Sequence, residues 1–233
     1  MSIKIAIDAG HGLYTAGKRC LKSIDKNETR EWVLNNRVAV NLEKLLKSYD
    51  CEVLRVDDTT GLTDISLANR VKKANNWGAD VYMSIHYNAG INGGTGGGTV
   101  VFYYSSKAER KAEATNLYNA IVNMTGLVGN RSSKVIKKGF YVIKNTKMPA
   151  FLIENGFMDS KTDTPVILTE GHANRTAQAL VNFLVSQYKL QAVSKSETIY
   201  RVQCGAFTNK TAAEALKNKL RADGYEAVVM SGS

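Results

Sequence analysis

Apolar positions along the chain fall into two kinds of run that take turns. Short, nearly unbroken apolar runs at residues 3–8, 51–56, 81–85, 99–104, 140–143 and 150–153 predict strands, most of them buried on both faces. Between them, apolar residues recur every third or fourth position. Leu34, Val38, Leu42, Leu45 and Tyr49 predict a helix over about 28–49. Ile65, Leu67, Ala68, Val71 and Ala74 predict one over 63–77, with Gly78 just past its end. Ala108, Ala112, Leu117, Ile121 and Met124 mark a third over 106–126. Ala173, Ala177, Leu180, Val181 and Leu184 mark a fourth over 171–188. This alternation is the signature of an α/β fold: a twisted, mostly parallel sheet with helices on both faces.

The polar stretches divide the chain further. Residues 10–27 are long for a strand-to-helix connection, which suggests a functional loop. Asn92 to Gly98 is glycine-rich and reads as a flexible loop. It lacks the Lys-Ser/Thr ending of a phosphate loop and leads into a strand. Residues 190–198 read as a linker between a main domain, 1–189, and a small unit, 199–233. In that unit strand 199–203, helix 212–220 and strand 227–230 predict a βαβ fold too small to be stable alone.

Three apolar runs stop at a residue of a different kind: His11 after the first, His86 after 81–85, Glu154 after 150–153. The carboxyl ends of strands in such sheets are where ligands bind. Glu31 adds a fourth candidate. It lies three residues before Leu34 and seven before Val38, so it shares the buried face of its helix. A carboxylate there must be paired, protonated or bound to a metal. Glu28, nearer the helix start, is its rival and a candidate for a capping box with Asp25. His11, Glu31 and His86 supply three zinc ligands and leave a fourth position open; Glu154 is then free to move protons. These parts fit hydrolysis of an amide. The remaining histidine, His172, follows Gly171 at a helix start and reads as surface or capping.

Composition narrows the partners. The 233 residues are 44% hydrophobic and 22% charged, as in an ordinary globular protein, and no apolar run is long enough to span a membrane. The cysteines, Cys20, Cys51 and Cys204, are odd in number and far apart, so no disulfide framework or thiolate metal site is expected. No secretory leader precedes Ile3, which points to synthesis in the cytoplasm. The net charge of +10 favours a polyanionic partner. Most of that charge lies in the first 190 residues. No basic run is interleaved with aromatics, so nucleic acid is not expected.

The residues around these candidates resemble the zinc-dependent N-acetylmuramoyl-L-alanine amidases of the amidase-3 type, across nearly all of residues 1–190. Ile7-Asp8-Ala9-Gly10-His11-Gly12 is similar to the family's first metal motif, and Glu31 with Val38-Ala39 to its glutamate block. Arg70, Ala74-Asn75, Ala79-Asp80 and Ser84-Ile85-His86-Tyr87-Asn88-Ala89 resemble the second histidine block. Met148 to Phe157 resembles the block with the catalytic glutamate. The resemblance implies Zn2+ on His11, Glu31 and His86, Glu154 as the catalytic carboxylate, and bacterial peptidoglycan as substrate. The role implied is a phage endolysin or a late-released autolysin acting at the wall. A zinc carboxypeptidase acting on the stem peptide and a non-catalytic wall-binding protein are the competing readings. Tyr200 to Tyr225 is similar to one half of a sporulation-related (SPOR) repeat, whose full form binds glycan strands stripped of peptides. Either that domain is incomplete here, or it completes itself in a homodimer through an open strand edge.

Overall fold

The computed structural model describes residues 2–193 and 202–230, which fall into two compact units divided between Val193 and Ser194. The first is a six-stranded sheet. Its strands are β1 (Ile3–Ala9), β2 (Cys51–Arg55), β3 (Val81–Asn88), β4 (Thr99–Tyr103), β5 (Val135–Lys137) and β6 (Ala150–Phe157). They lie side by side in the order β2-β1-β3-β6-β4-β5. The first four are parallel; β4 runs antiparallel to β6, and β5 parallel to β4.

Helices cover both faces, as the alternating pattern predicts. Ile5, Ile7, Met83, Ile85, Val101, Phe151 and Ile153 point to a layer made of α1 (Glu31–Leu46), α3 (Ala108–Thr125) and α6 (Glu170–Tyr188). Ala6, Tyr82, Val100, Phe102 and Leu152 point the other way. There they meet Val71 and Ala74 of α2 (Leu67–Trp77) and Val142 and Ile143 of α4 (Tyr141–Lys144). Side chains alternate across a strand, so a strand buried on both faces is apolar throughout. A short α5 (Thr164–Ile167) joins β6 to α6.

Several expectations shift. β3 and β6 do not end at His86 and Glu154; both continue three residues in β6 and two in β3, so these polar groups stand within the sheet. The register pairs His86 with Glu154 directly, and the ladder slips between His86 and Asn88. The expected strand at 140–143 is the helical turn α4, and the edge strand is 135–137. A four-residue apolar run serves either state, because its length carries no period. α1 begins at Glu31 without a side-chain cap; Asp25 instead accepts from the amides of Asn27 and Thr29, so the proposed capping box is absent.

The first unit runs past the boundary expected at residue 189. Residues 190–193 belong to the first unit: Leu190 is buried, the Asp50 amide donates to the Gln191 carbonyl and the Val193 amide to Ser48. Residues 194–198 lie outside the described residues. In the second unit α7 (Lys210–Ala222) matches the expected helix. Most of the strand expected at 199–203 lies outside the described residues. Residues 227–230 have no ladder partner among the described ones.

Candidate metal centre

β1 ends at Ala9, which is level with Ile85 of β3. His11 therefore emerges beside His86, and Glu31, the first residue of α1, faces both. Glu31 Oε1 lies 3.3 Å from His11 Nε2 and 3.0 Å from His86 Nδ1. The two imidazoles meet edge to face with centroids 5.0 Å apart. Each of the three residues offers a donor atom within 4.8 Å of the others. A tetrahedral zinc with bonds near 2.0–2.1 Å spaces its ligands about 3.3 Å apart, so these separations fit. The second carboxylate oxygen, Glu31 Oε2, is buried with no hydrogen-bond partner, and Lys18 Nζ stands 3.7 Å away. An unpartnered buried carboxylate oxygen costs free energy that a cation would recover. Two imidazoles and one carboxylate form a donor set suited to zinc.

The local sequence builds this arrangement. Loop 10–30 folds back on itself: the Cys20 amide donates to Thr29, and the Glu31 amide donates to the Lys18 carbonyl. Glu28, the rival ligand, has φ 48° and turns outward to Arg19 and Lys22. Glu31 is 1% exposed and faces both imidazoles. Gly10 is required by His86. A Cβ there would lie 1.9 Å from His86 Cε1 and 2.3 Å from Nε2, so only a hydrogen leaves room for the ring. The Asn35 side chain, buried in α1, donates to the Gly10 carbonyl and holds the turn down.

Burial raises the cost of charge on Glu31, but the hydrogen bonds and charges of His11 and His86 outweigh it and hold the carboxyl well below its usual range. His86 shifts the other way: burial disfavours its proton, and Glu31 more than restores it. Glu154 sits next to His86 across the ladder, with Oε2 buried and unpartnered. Burial, opposed by His86 and reinforced by Glu31, pushes its carboxyl up to about 7.

The glycine-rich segment is not the flexible loop expected from its composition. The amides of Gly90, Ile91 and Asn92 all donate to Asp159 Oδ2, and the Gly98 amide donates to Asp163. A Cβ on Gly98 would lie 2.4 Å from Gly129, so the glycines serve close packing. His172 is also misjudged by the sequence. It is fully buried against the Tyr87 ring, and only its amide caps the helix, donating to Thr169. It is not among the residues that converge.

The family model described as N-acetylmuramoyl-L-alanine amidase matches residues 5–186, nearly all of the sheet and its helices. The chain belongs to that family. A second model, the SPOR domain, matches residues 174–231 and so begins inside α6. The amidase is 31% identical over 98% of its length to the sporulation-specific N-acetylmuramoyl-L-alanine amidase of Bacillus subtilis, spanning 84% of that protein. It is 30% identical to the amidase CwlM of Bacillus licheniformis, covering 98% of this chain and 85% of that one. Among solved structures, the N-acetylmuramoyl-L-alanine amidase of Clostridium difficile 630 superposes with a TM-score of 0.71 at 30% identity. That match covers 84% of this chain and 99% of the other. The chain is thus a peptidoglycan hydrolase for the N-acetylmuramoyl-L-alanine amide. The stem-peptide carboxypeptidase and the non-catalytic wall binder give way to it.

Proposed function

We propose that the amidase is zinc-dependent, with His11, Glu31 and His86 as the metal ligands and Glu154 as the catalytic carboxylate. The observation that carries this reading is the convergence of three donor atoms beside an unpartnered buried carboxyl. A zinc ion held there supplies Lewis acidity, polarising the lactyl carbonyl and acidifying water. Glu154 takes the proton from the attacking water as the new C–O bond forms. It then gives that proton to the L-alanine nitrogen as the C–N bond breaks, leaving a free carboxylate and an amine.

The second unit serves the same wall. Its SPOR match supports retention on glycan strands, and the apolar residues it leaves exposed support completion by a second copy in a homodimer. The relative named sporulation-specific supports a late-released autolysin over a phage endolysin.

The test is digestion of purified peptidoglycan with and without a chelator, with the new termini identified by mass. New L-alanine amino termini that vanish on chelation and return with zinc are expected. Glu154→Gln should keep zinc and lose hydrolysis by at least about 100-fold; full activity in that variant removes Glu154 from the mechanism.

A further inference from the structure

We propose that the buried Asp8–Arg70 ion pair beneath the site positions both histidines, reaching His86 through Ser84 and His11 through its carbonyl. The inference rests on the zinc reading above. Asp8, Arg70 and Ser84 are each no more than 1% exposed, and none of them is among the three residues whose donor atoms converge. Every donor of the Arg70 guanidinium is used. Nη1 donates to Asp8 Oδ1 and to the Ala9 carbonyl, Nη2 to the His11 carbonyl and Asp64, and Nε to the Ile65 carbonyl.

The first branch is directional. Ser84 Oγ donates to Asp8 Oδ2 at 2.7 Å. Its proton is thereby committed, so its lone pair is what faces His86 Nε2 at 3.1 Å. Nε2 must carry the ring proton, and the Nδ1 lone pair is turned toward Glu31 and His11, where a metal would sit. A carboxylate acting through a hydroxyl thus selects the tautomer and the ring angle of the ligand. The second branch acts on the backbone. His11 has φ 66°, a left-handed conformation that a residue with a side chain adopts only when its surroundings impose it. The Arg70 bonds to the carbonyls of Ala9 and His11, both 2.9 Å, grip the chain on either side of Gly10.

Stability alone does not explain the pair. Replacing a buried ion pair by apolar residues is often neutral or favourable, so its use lies in fixing geometry. Tyr82 supplies an internal control. Its hydroxyl donates to the same Asp8 Oδ2 at 2.9 Å but reaches neither histidine.

The experiment compares full-length wild type, Ser84→Ala and Tyr82→Phe. Zinc affinity is read by competition with a chromophoric chelator, geometry by the visible spectrum of the Co2+ form, and folding by thermal melting. Ser84→Ala should weaken zinc by about 10–100-fold and alter the Co2+ spectrum. Tyr82→Phe should lower the melting temperature and leave zinc affinity and spectrum unchanged. Wild-type zinc affinity with an unchanged Co2+ spectrum in Ser84→Ala, or equal loss of zinc in both variants, overturns the positioning role. Failure of the wild type to bind one zinc would instead overturn the metal-centre reading itself.

Discussion

α1 and α7 are both amphipathic helices, yet α1 buries eight of its 16 residues and α7 buries none of its 13. In the first unit, buried charged side chains such as Arg70, Arg55 and Asp163 are hydrogen-bonded, and the unpartnered carboxylate oxygens of Glu31 and Glu154 lie at the site. In the second, Val202, Phe207, Tyr225, Val228 and Met230 remain exposed. A helix this short is marginal in water without tertiary packing. The first unit therefore carries its own reason to fold, and catalysis needs that rigidity, because ligands must be held to fractions of an ångström. The second unit offers apolar surface and helix ends for a partner to cover.

The strongest way to break this contrast is to disturb the first unit where it is tightest. Gly10→Ala places a methyl group on the His86 ring. Misplacing a reacting group by about 1 Å costs about 100-fold in rate, and overpacking costs about 1–3 kcal/mol of stability. Hydrolysis of a soluble muramoyl-peptide should fall by at least that factor, with a matching loss of bound zinc. Wild-type kinetics would show that the pocket yields as the second unit does.

The sequence made the scaffold legible because strands buried on both faces must be apolar and helices must bury a stripe. Glu31 was legible for the same reason, as a carboxylate on that stripe. His172 was not: its neighbours Ala173 and Thr176 give no sign that helix α6 turns it onto Tyr87 rather than into solvent. Nor was the Asp8–Arg70–Ser84 chain, whose members are up to 76 residues apart and meet only when β1, β3 and α2 assemble. Motif positions marked these residues without stating their task. The glycine run misled because the same residue type serves flexible chain and close packing alike. Only the carboxylates of Asp159 and Asp163, far along the chain, decide which.

His172 gives the next test of the contrast. Burial first, then the nearby Arg175 charge, pull its pKa from 6.5 down to about 4, with a backbone contact at Asn155 opposing. Thr176 and Tyr87 face it from the other side and carry no charge to rescue the cation. The unfolded chain therefore takes up a proton between these two values that the folded one refuses. Stability from His172 is complete above about pH 6.5 and lost as pH falls toward 4, by about 3 kcal/mol. Urea unfolding across that window should show the decline, and His172→Gln should flatten it. An unchanged slope in the variant would place the acid sensitivity elsewhere in the first unit. The second unit has no buried titratable group among the described residues and should contribute no such slope.

The smallest effect is expected from removing the second unit altogether. Residues 48–50 already hold 190–193, so a chain ending at Val193 keeps every core contact of the first unit. Its unfolding free energy should change by no more than an ordinary surface substitution would, about 0.5 kcal/mol. Its kcat/KM on a soluble muramoyl-peptide should match the full chain. Sedimentation with peptide-stripped glycan should drop, because such a strand has no scissile amide for the first unit and the proposed glycan-holding unit is gone. A truncated chain that melts much earlier would mean that the exposed apolar residues of 202–230 are covered by the first unit in solution. A truncated chain that still sediments with stripped glycan would move wall retention to the basic surface of the first.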